Sequence, residues 1–385
     1  MILNITNDID LSSFYVVFKG STMNEKPGWY GLSHLMEHLL CKGVEHLMDD
    51  FQRYDITHNA YTSENEIVFF IEGLDKYVNK YKDEFLDGLL SYKPTLEELE
   101  NEKKIVIEEY KDSFNSQLYS HFLNVYRKKY KLYGPIGLRN DIENYTIDDC
   151  LEYQSNFLKS PSMIINVSKN NDFTRDMDFV TNINPSNIKE YDNVDTYNII
   201  DDENITVSSN KIPLELSNKF NNKSSILNIS PIIKDDFAII KFINSMLSDG
   251  LNSPLYNEIR EKNGLAYYVN ATTDKLDNKN IVICIYTETS NNNVEKVQYE
   301  IKNILDNKEK YLTQERFDII KDNYLVKIEE RKILVHNNVI RYINDDKWNI
   351  ENIINDITLN DIYNIFDKYY KWDNFYKSVY GEEFD

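Results

Sequence analysis

His34-Leu-Met-Glu37-His38 has the residue types and spacing of a catalytic zinc site. On a helix, residues three and four apart share a face, so both imidazoles can aim at one point with the Glu37 carboxylate beside them. Two neutral imidazoles and one carboxylate from another element make a three-ligand zinc site whose fourth position stays open for water. Zinc brings the pKa of that water towards neutrality, and a carboxylate within hydrogen-bond reach can take its proton. H-x-x-E-H is the inverted-zincin order. With six His and 64 acidic residues in 385, such a pattern arises by chance about 0.01 times per chain. The bland alternative is a solvated helix whose polar residues happen to share a face.

The helix that must carry these residues runs from about Gly31 to Lys42 and stops at Gly43. Before it, Ser13 to Gly20 is β-branched and aromatic and predicts a buried strand. After it, Asn59 to Phe70 predicts two strands with a turn near Ser63-Glu-Asn65, and Leu74 to Leu90 has helical spacing. Thr95 and Glu98 form a capping box that starts a helix reaching about Phe114. Glu102 and Glu109, two turns apart, leave that helix on one face, while Glu108 is turned about 100° away and reads as solvent-facing. The third ligand is expected from this helix, although spacing alone does not choose between Glu109 and Glu108. Cys41, one turn beyond His38, reads as a small buried apolar residue rather than a fourth ligand. His46, His58, His121 and His336 have no partner at ligand spacing.

Further along, a helix is predicted over Ile147 to Phe157 and a strand over Ser162 to Ser168. Asn184 to Asn210 is polar, acidic and weakly periodic, and reads as a linker between a first domain (1–183) and a second (211–385). The second half repeats the order of the first: a strand at Ser225 to Ser230, a helix at Asp235 to Leu247, a Gly-containing turn, then helix and strand. This predicts an internal duplication whose second copy lacks the histidines. A strand at Asn280 to Tyr286 follows, with helices at Asn292 to Leu305, Thr313 to about Asn337 and Leu359 to Tyr370.

At 385 residues, two domains are the natural expectation, and 41% hydrophobic with 28% charged residues indicates a globular chain. The net charge of −21 argues against nucleic acid, whose phosphates need a basic surface. It tilts the substrate only slightly towards cationic peptides. No apolar stretch is long enough to span a bilayer, and the N-terminus lacks a secretory pattern. Three scattered cysteines fit free thiols in a reducing compartment, so a cytoplasmic protein is expected.

Taken together, these residues resemble the pitrilysin, insulin-degrading enzyme and mitochondrial processing peptidase family of zinc metallopeptidases. The resemblance rests on Gly20-Ser21, Glu25 and Gly31 before the motif, Lys42-Gly43 after it, and Asn59-Ala60-Tyr61-Thr62. It extends through Glu102-Lys-Lys-Ile-Val-Ile-Glu-Glu109, Tyr133-Gly-Pro-Ile-Gly137 with Thr146-Ile-Asp-Asp149, and Ser253 to Tyr267.

The resemblance implies His34, His38 and Glu109 as zinc ligands, Glu37 as general base, and Glu102 as a carboxylate that orients a ligand or holds the charge of the site. It implies that Arg260 and Tyr267 bind substrate near the scissile bond, where a guanidinium and a phenol can donate hydrogen bonds to a carbonyl. It also implies that Asn59 and Ala60 lie on an edge strand that pairs with an extended substrate. The expected fold is α+β: two similar domains, each a mainly antiparallel sheet covered on one face by helices. The expected activity is zinc-dependent cleavage of peptides or unfolded polypeptides inside a dimeric clamshell, one zinc per chain, as a homodimer with two composite sites. A specific processing peptidase of a viral, phage or leader precursor, a non-catalytic polypeptide-binding subunit and a smaller H-x-x-E-H hydrolase or lyase are the rival readings.

Overall fold

The computed structural model describes residues 1–6, 8–113, 134–180, 223–276, 280–333 and 350–381. They fall into two compact units, one built on Met1–Lys111 and residues 134–180, the other on residues 223–330 and 350–381. The linker expected at 184–210 lies outside the described residues, as do Tyr133, His121 and His336.

In the first unit the elements are β1 (Ile2–Thr6), β2 (Leu11–Phe18), α1 (Leu32–Lys42), α2 (Met48–Tyr54), β3 (Thr57–Thr62), β4 (Ile67–Leu74), α3 (Asp75–Ser91), α4 (Leu96–Ser113), α5 (Arg139–Asn144), α6 (Ile147–Tyr153) and β5 (Met163–Ser168). The sheet order is β1-β5-β2-β4-β3, antiparallel except for the parallel β1–β5 pair. One face of the sheet, with Phe14, Val16, Phe18, Phe69, Ile71 and Ile164, shares a buried core with the helices. The alternate residues Tyr15, Val17, Val68, Phe70 and Ile165 form a second, smaller buried set. Burial on both faces explains why β2 reads as a continuous apolar run rather than an alternating one. Edge strand β3 carries Asn59 and Ala60.

The second unit contains β6 (Lys223–Ile229), α7 (Phe237–Ser248), a π-helical turn at Tyr256–Lys262, β7 (Ala266–Lys275), β8 (Ile281–Ser290), α8 (Val294–Asp306), α9 (Gln314–Ile333), α10 (Leu359–Tyr369) and β9 (Tyr376–Gly381). Its sheet, β7-β8-β6-β9, is antiparallel throughout. The apolar face of α7 (Phe237, Ile240, Ile243, Leu247) packs with Ile226, Ile283 and Ile285. Each unit thus lays helices over a mainly antiparallel sheet, which makes the protein α+β.

Two glycines fix the approach to α1. Gly31, its N-cap, has φ +99, and a Cβ there would come within 2.9 Å of Gly137 Cα. Gly43, just past the helix, has ordinary right-handed geometry, but a Cβ would lie 2.3 Å from the Gly88 carbonyl oxygen. Gly43 therefore serves close packing of α1 on α3, not a left-handed helix stop.

Candidate metal centre

α1 buries Leu32, Leu35, Met36, Leu39 and Leu40 in the core and turns His34 and His38 outward. Its N-terminus is held by Glu25. One Glu25 oxygen accepts from Gly31 N (2.9 Å), and the other from Ser33 N (2.9 Å) and Ser33 Oγ (2.5 Å). A carboxylate at a helix N-terminus satisfies free N–H groups and suits the dipole. Burial nevertheless pushes the Glu25 carboxyl up to about 7. With Gly31 against Gly137, this anchor sets where His34 begins.

The two Nε2 atoms of His34 and His38 stand 3.3 Å apart. Glu109 Oε2, from α4, lies 3.5 Å from His34 Nε2 and 3.6 Å from His38 Nε2. A tetrahedral zinc ion with bonds of about 2.0–2.2 Å needs nitrogen and oxygen donors about 3.3–3.6 Å apart. The three donor atoms already fit that triangle, and these residues could hold the ion. Glu108 is instead turned to Lys111 (2.6 Å) on the exposed side of α4.

Second contacts orient the donors. His38 Nδ1 meets Glu102 Oε2 at 3.1 Å, which directs its Nε2 lone pair to the ligand position. The other Glu102 oxygen is 2.9 Å from Lys42 Nζ, which also holds Glu45 at 2.7 Å. Those two hydrogen bonds hold the Lys42 ammonium above its ordinary range. His34 Nδ1 is buried and unpartnered among the described residues. Burial, aided by His38, holds the His34 imidazole down to about 4, so it is neutral and ready to ligate at pH 7.

Glu37 is 9% exposed, and one of its oxygens accepts from Thr62 Oγ1 at 2.6 Å. Burial raises its pKa, Thr62 and His38 pull it back, and the Glu109 charge adds to the rise. A carboxylate pushed up in this way is better matched to taking and returning a proton near neutrality. Thr62 is the residue to which sequence reasoning assigned no role. Its signal was its place at the end of the Asn59-Ala-Tyr-Thr62 run, the β3 terminus nearest Glu37. On β3 itself, Ala60 N donates to Asn59 Oδ1 at 2.8 Å.

Arg260 and Tyr267 also meet. The guanidinium carbon lies 4.7 Å from the Tyr256 ring centroid and 4.6 Å from that of Tyr267. Tyr256 and Arg260 share the π-helical turn, and the chain reverses at Gly264 (φ +59) before β7. A bulge between Ala266 and Val269 leaves Tyr267 78% exposed. The remaining described histidines lie outside the donor triangle: His46 faces Glu84 (3.3 Å), and His58 lies against the Phe51 ring and lines the same cavity as Glu37 and His38. Cys41 is partly buried and carries a thiol pushed up to about 12 by burial, the state of a packed neutral side chain.

Residues 2–135 match the family model described as insulinase (peptidase family M16), and residues 226–324 match that of the peptidase M16 inactive domain. An uncharacterized zinc protease of Rickettsia bellii is 23% identical over 79% of this chain and 74% of its own length. Zinc protease PqqE of Helicobacter pylori is 28% identical over 39% of this chain and 36% of its own. Among solved structures, a protease from Helicobacter pylori superposes with a TM-score of 0.75 at 16% identity, covering 98% of this chain and 96% of that one. A peptidase M16 inactive domain from Pseudomonas fluorescens gives 0.74 at 13% identity, covering 100% and 95%. These likenesses run through both units, the one with the H-x-x-E-H motif and the one without that motif, and the chain belongs to the insulinase (M16) peptidase family, in its half-length form.

Proposed function

We propose that the protein is a zinc-dependent endopeptidase that cuts peptides or unfolded polypeptides. The observation that carries this reading is the triangle of His34, His38 and Glu109 donor atoms with the Glu37 carboxylate beside it. Zinc, when bound, supplies a Lewis acid that polarises a carbonyl and acidifies water. Glu37 takes the proton of the attacking water on its carboxylate and returns it to the leaving amine, while Thr62 fixes the carboxylate's orientation. The outer edge of β3 adds the substrate as a strand, the Ala60 N–H exchanging the Asn59 side chain for a substrate carbonyl. Arg260 and Tyr267 donate hydrogen bonds to substrate carbonyls.

The presence of both the zinc motif and the Arg260/Tyr267 pair in one chain favours a homodimer with two composite sites. That His34, Glu37, His38 and Glu109 are all present favours catalysis over a subunit that only holds polypeptides. Among the described residues no helix is long and apolar enough to cross a membrane, and all three cysteines are free thiols. The thiols favour a reducing, cytoplasmic setting. Removal of metal tests the chemistry: a zinc chelator should abolish cleavage of a model peptide and one equivalent of Zn2+ should restore it. Cleavage that persists in metal-free protein would refute the reading.

A further inference from the structure

Lys42 is the last residue of α1, and its ammonium lies between two carboxylates in unlike surroundings. Glu45 Oε1, 2.7 Å away, belongs to a side chain 60% exposed, so that pair sits in water and contributes little. Glu102 Oε1, 2.9 Å away, belongs to a side chain only 5% exposed. A carboxylate that deep stays in place as an anion only when it is both paired and hydrogen-bonded. Its other oxygen meets His38 Nδ1 at 3.1 Å. His38 must be neutral to ligate through Nε2, so it gives Glu102 a hydrogen bond but no charge. Among the described residues the ion pairs of Glu102 are with His38 and Lys42, so its full positive partner is Lys42. Without that partner the carboxylate would lose the compensation for its burial and turn towards solvent, leaving the Nδ1–H of His38 without its acceptor.

Two other roles for Lys42 lead to different outcomes. A cation in the last helical turn suits the dipole, which concerns stability and not metal affinity. A cation near a divalent ion repels it, so its removal would tighten zinc binding.

We propose that Lys42 is a positioning residue for the metal centre: its ammonium pins Glu102 against His38 Nδ1 and so raises the affinity of His34, His38 and Glu109 for zinc. The proposal rests on the zinc-site reading above.

The test is competition titration of the full chain against a chromophoric zinc chelator, with urea unfolding of each metal-free variant alongside. Lys42→Met should weaken zinc binding about 10–100-fold, the loss also expected of Glu102→Gln. The double variant should bind no more weakly than the weaker single one, because both changes break the same link. Lys42→Arg, which keeps the charge, should recover most of the affinity, and Glu45→Gln should change it little. Equal or tighter zinc binding by Lys42→Met would overturn the proposal, whether or not its stability falls. Losses that multiply in the double variant would also overturn it. Should Lys42→Met fail to fold, Lys42→Gln is read by the same criteria. If wild type itself takes up no zinc, the zinc-site reading falls and the positioning role falls with it. Tight binding by wild type beside an unaffected Lys42→Met removes the positioning role alone.

Discussion

A buried imidazole and a buried carboxylate pull the pH dependence of the metal-free protein in opposite directions. His34 titrates near 4 when folded against 6.5 for an ordinary histidine, so between those values the native state binds fewer protons than the unfolded one. Its contribution to stability is intact above 6.5 and lost as the pH falls towards 4. From pH 7 to pH 5 the loss is about 2 kcal/mol. Glu25, raised to about 7 from 4.5, acts the other way, its contribution being lost as pH rises through that window. The His34 effect is therefore read as a difference. In urea unfolding with a chelator present, apo wild type should lose about 2 kcal/mol more between pH 7 and 5 than His34→Gln. Equal losses would mean that the imidazole is not held neutral. Glu102 acts on the bound form: Glu102→Gln should weaken zinc binding about 10–100-fold by competition titration, because the carboxylate on His38 Nδ1 is gone while the ligands remain.

Among the elements, α1 and β3 must be held in register for Glu37 to work. Thr62→Val removes the hydroxyl on Glu37 and should lower kcat about tenfold with KM little changed, and Thr62→Ser should restore it. Gly31→Ala forces a side chain into a φ of +99 and against Gly137, and should cost about 1–3 kcal/mol in unfolding together with weaker zinc binding. α1 itself was legible in the sequence because its chemistry is local: i, i+3 and i+4 place His34, Glu37 and His38 whatever the surroundings. The capping box of Thr95 and Glu98 was equally local, and it sets the phase of α4 that brings Glu109, not Glu108, to the imidazoles. β1 and β9 were not legible. Ile2–Thr6 is short and pairs in parallel with Met163–Ser168, so nothing in its own residues marks it as a strand. β9 likewise pairs with β6, over a hundred residues away. The π-helical turn at Tyr256–Lys262 read as ordinary helix, since its extra residue leaves no mark in composition. The Thr62–Glu37 contact needed the placement of an edge strand beside a helix, which spacing along the chain does not contain.

For the whole molecule, both units have a mainly antiparallel sheet under helices, and among the described residues the donor triangle lies in the first. The homodimer we propose gives a mass near twice 45.6 kDa in light scattering of the active preparation. Full activity in a purely monomeric species would exclude it. The most direct test of the account is hydrolysis of a panel of unrelated short peptides by zinc-loaded wild type beside Glu37→Gln, with bound zinc measured in both. The account predicts that wild type cuts several peptides and that Glu37→Gln cuts none while keeping one zinc per chain. Undiminished cleavage by Glu37→Gln, or none by zinc-loaded wild type, would contradict it.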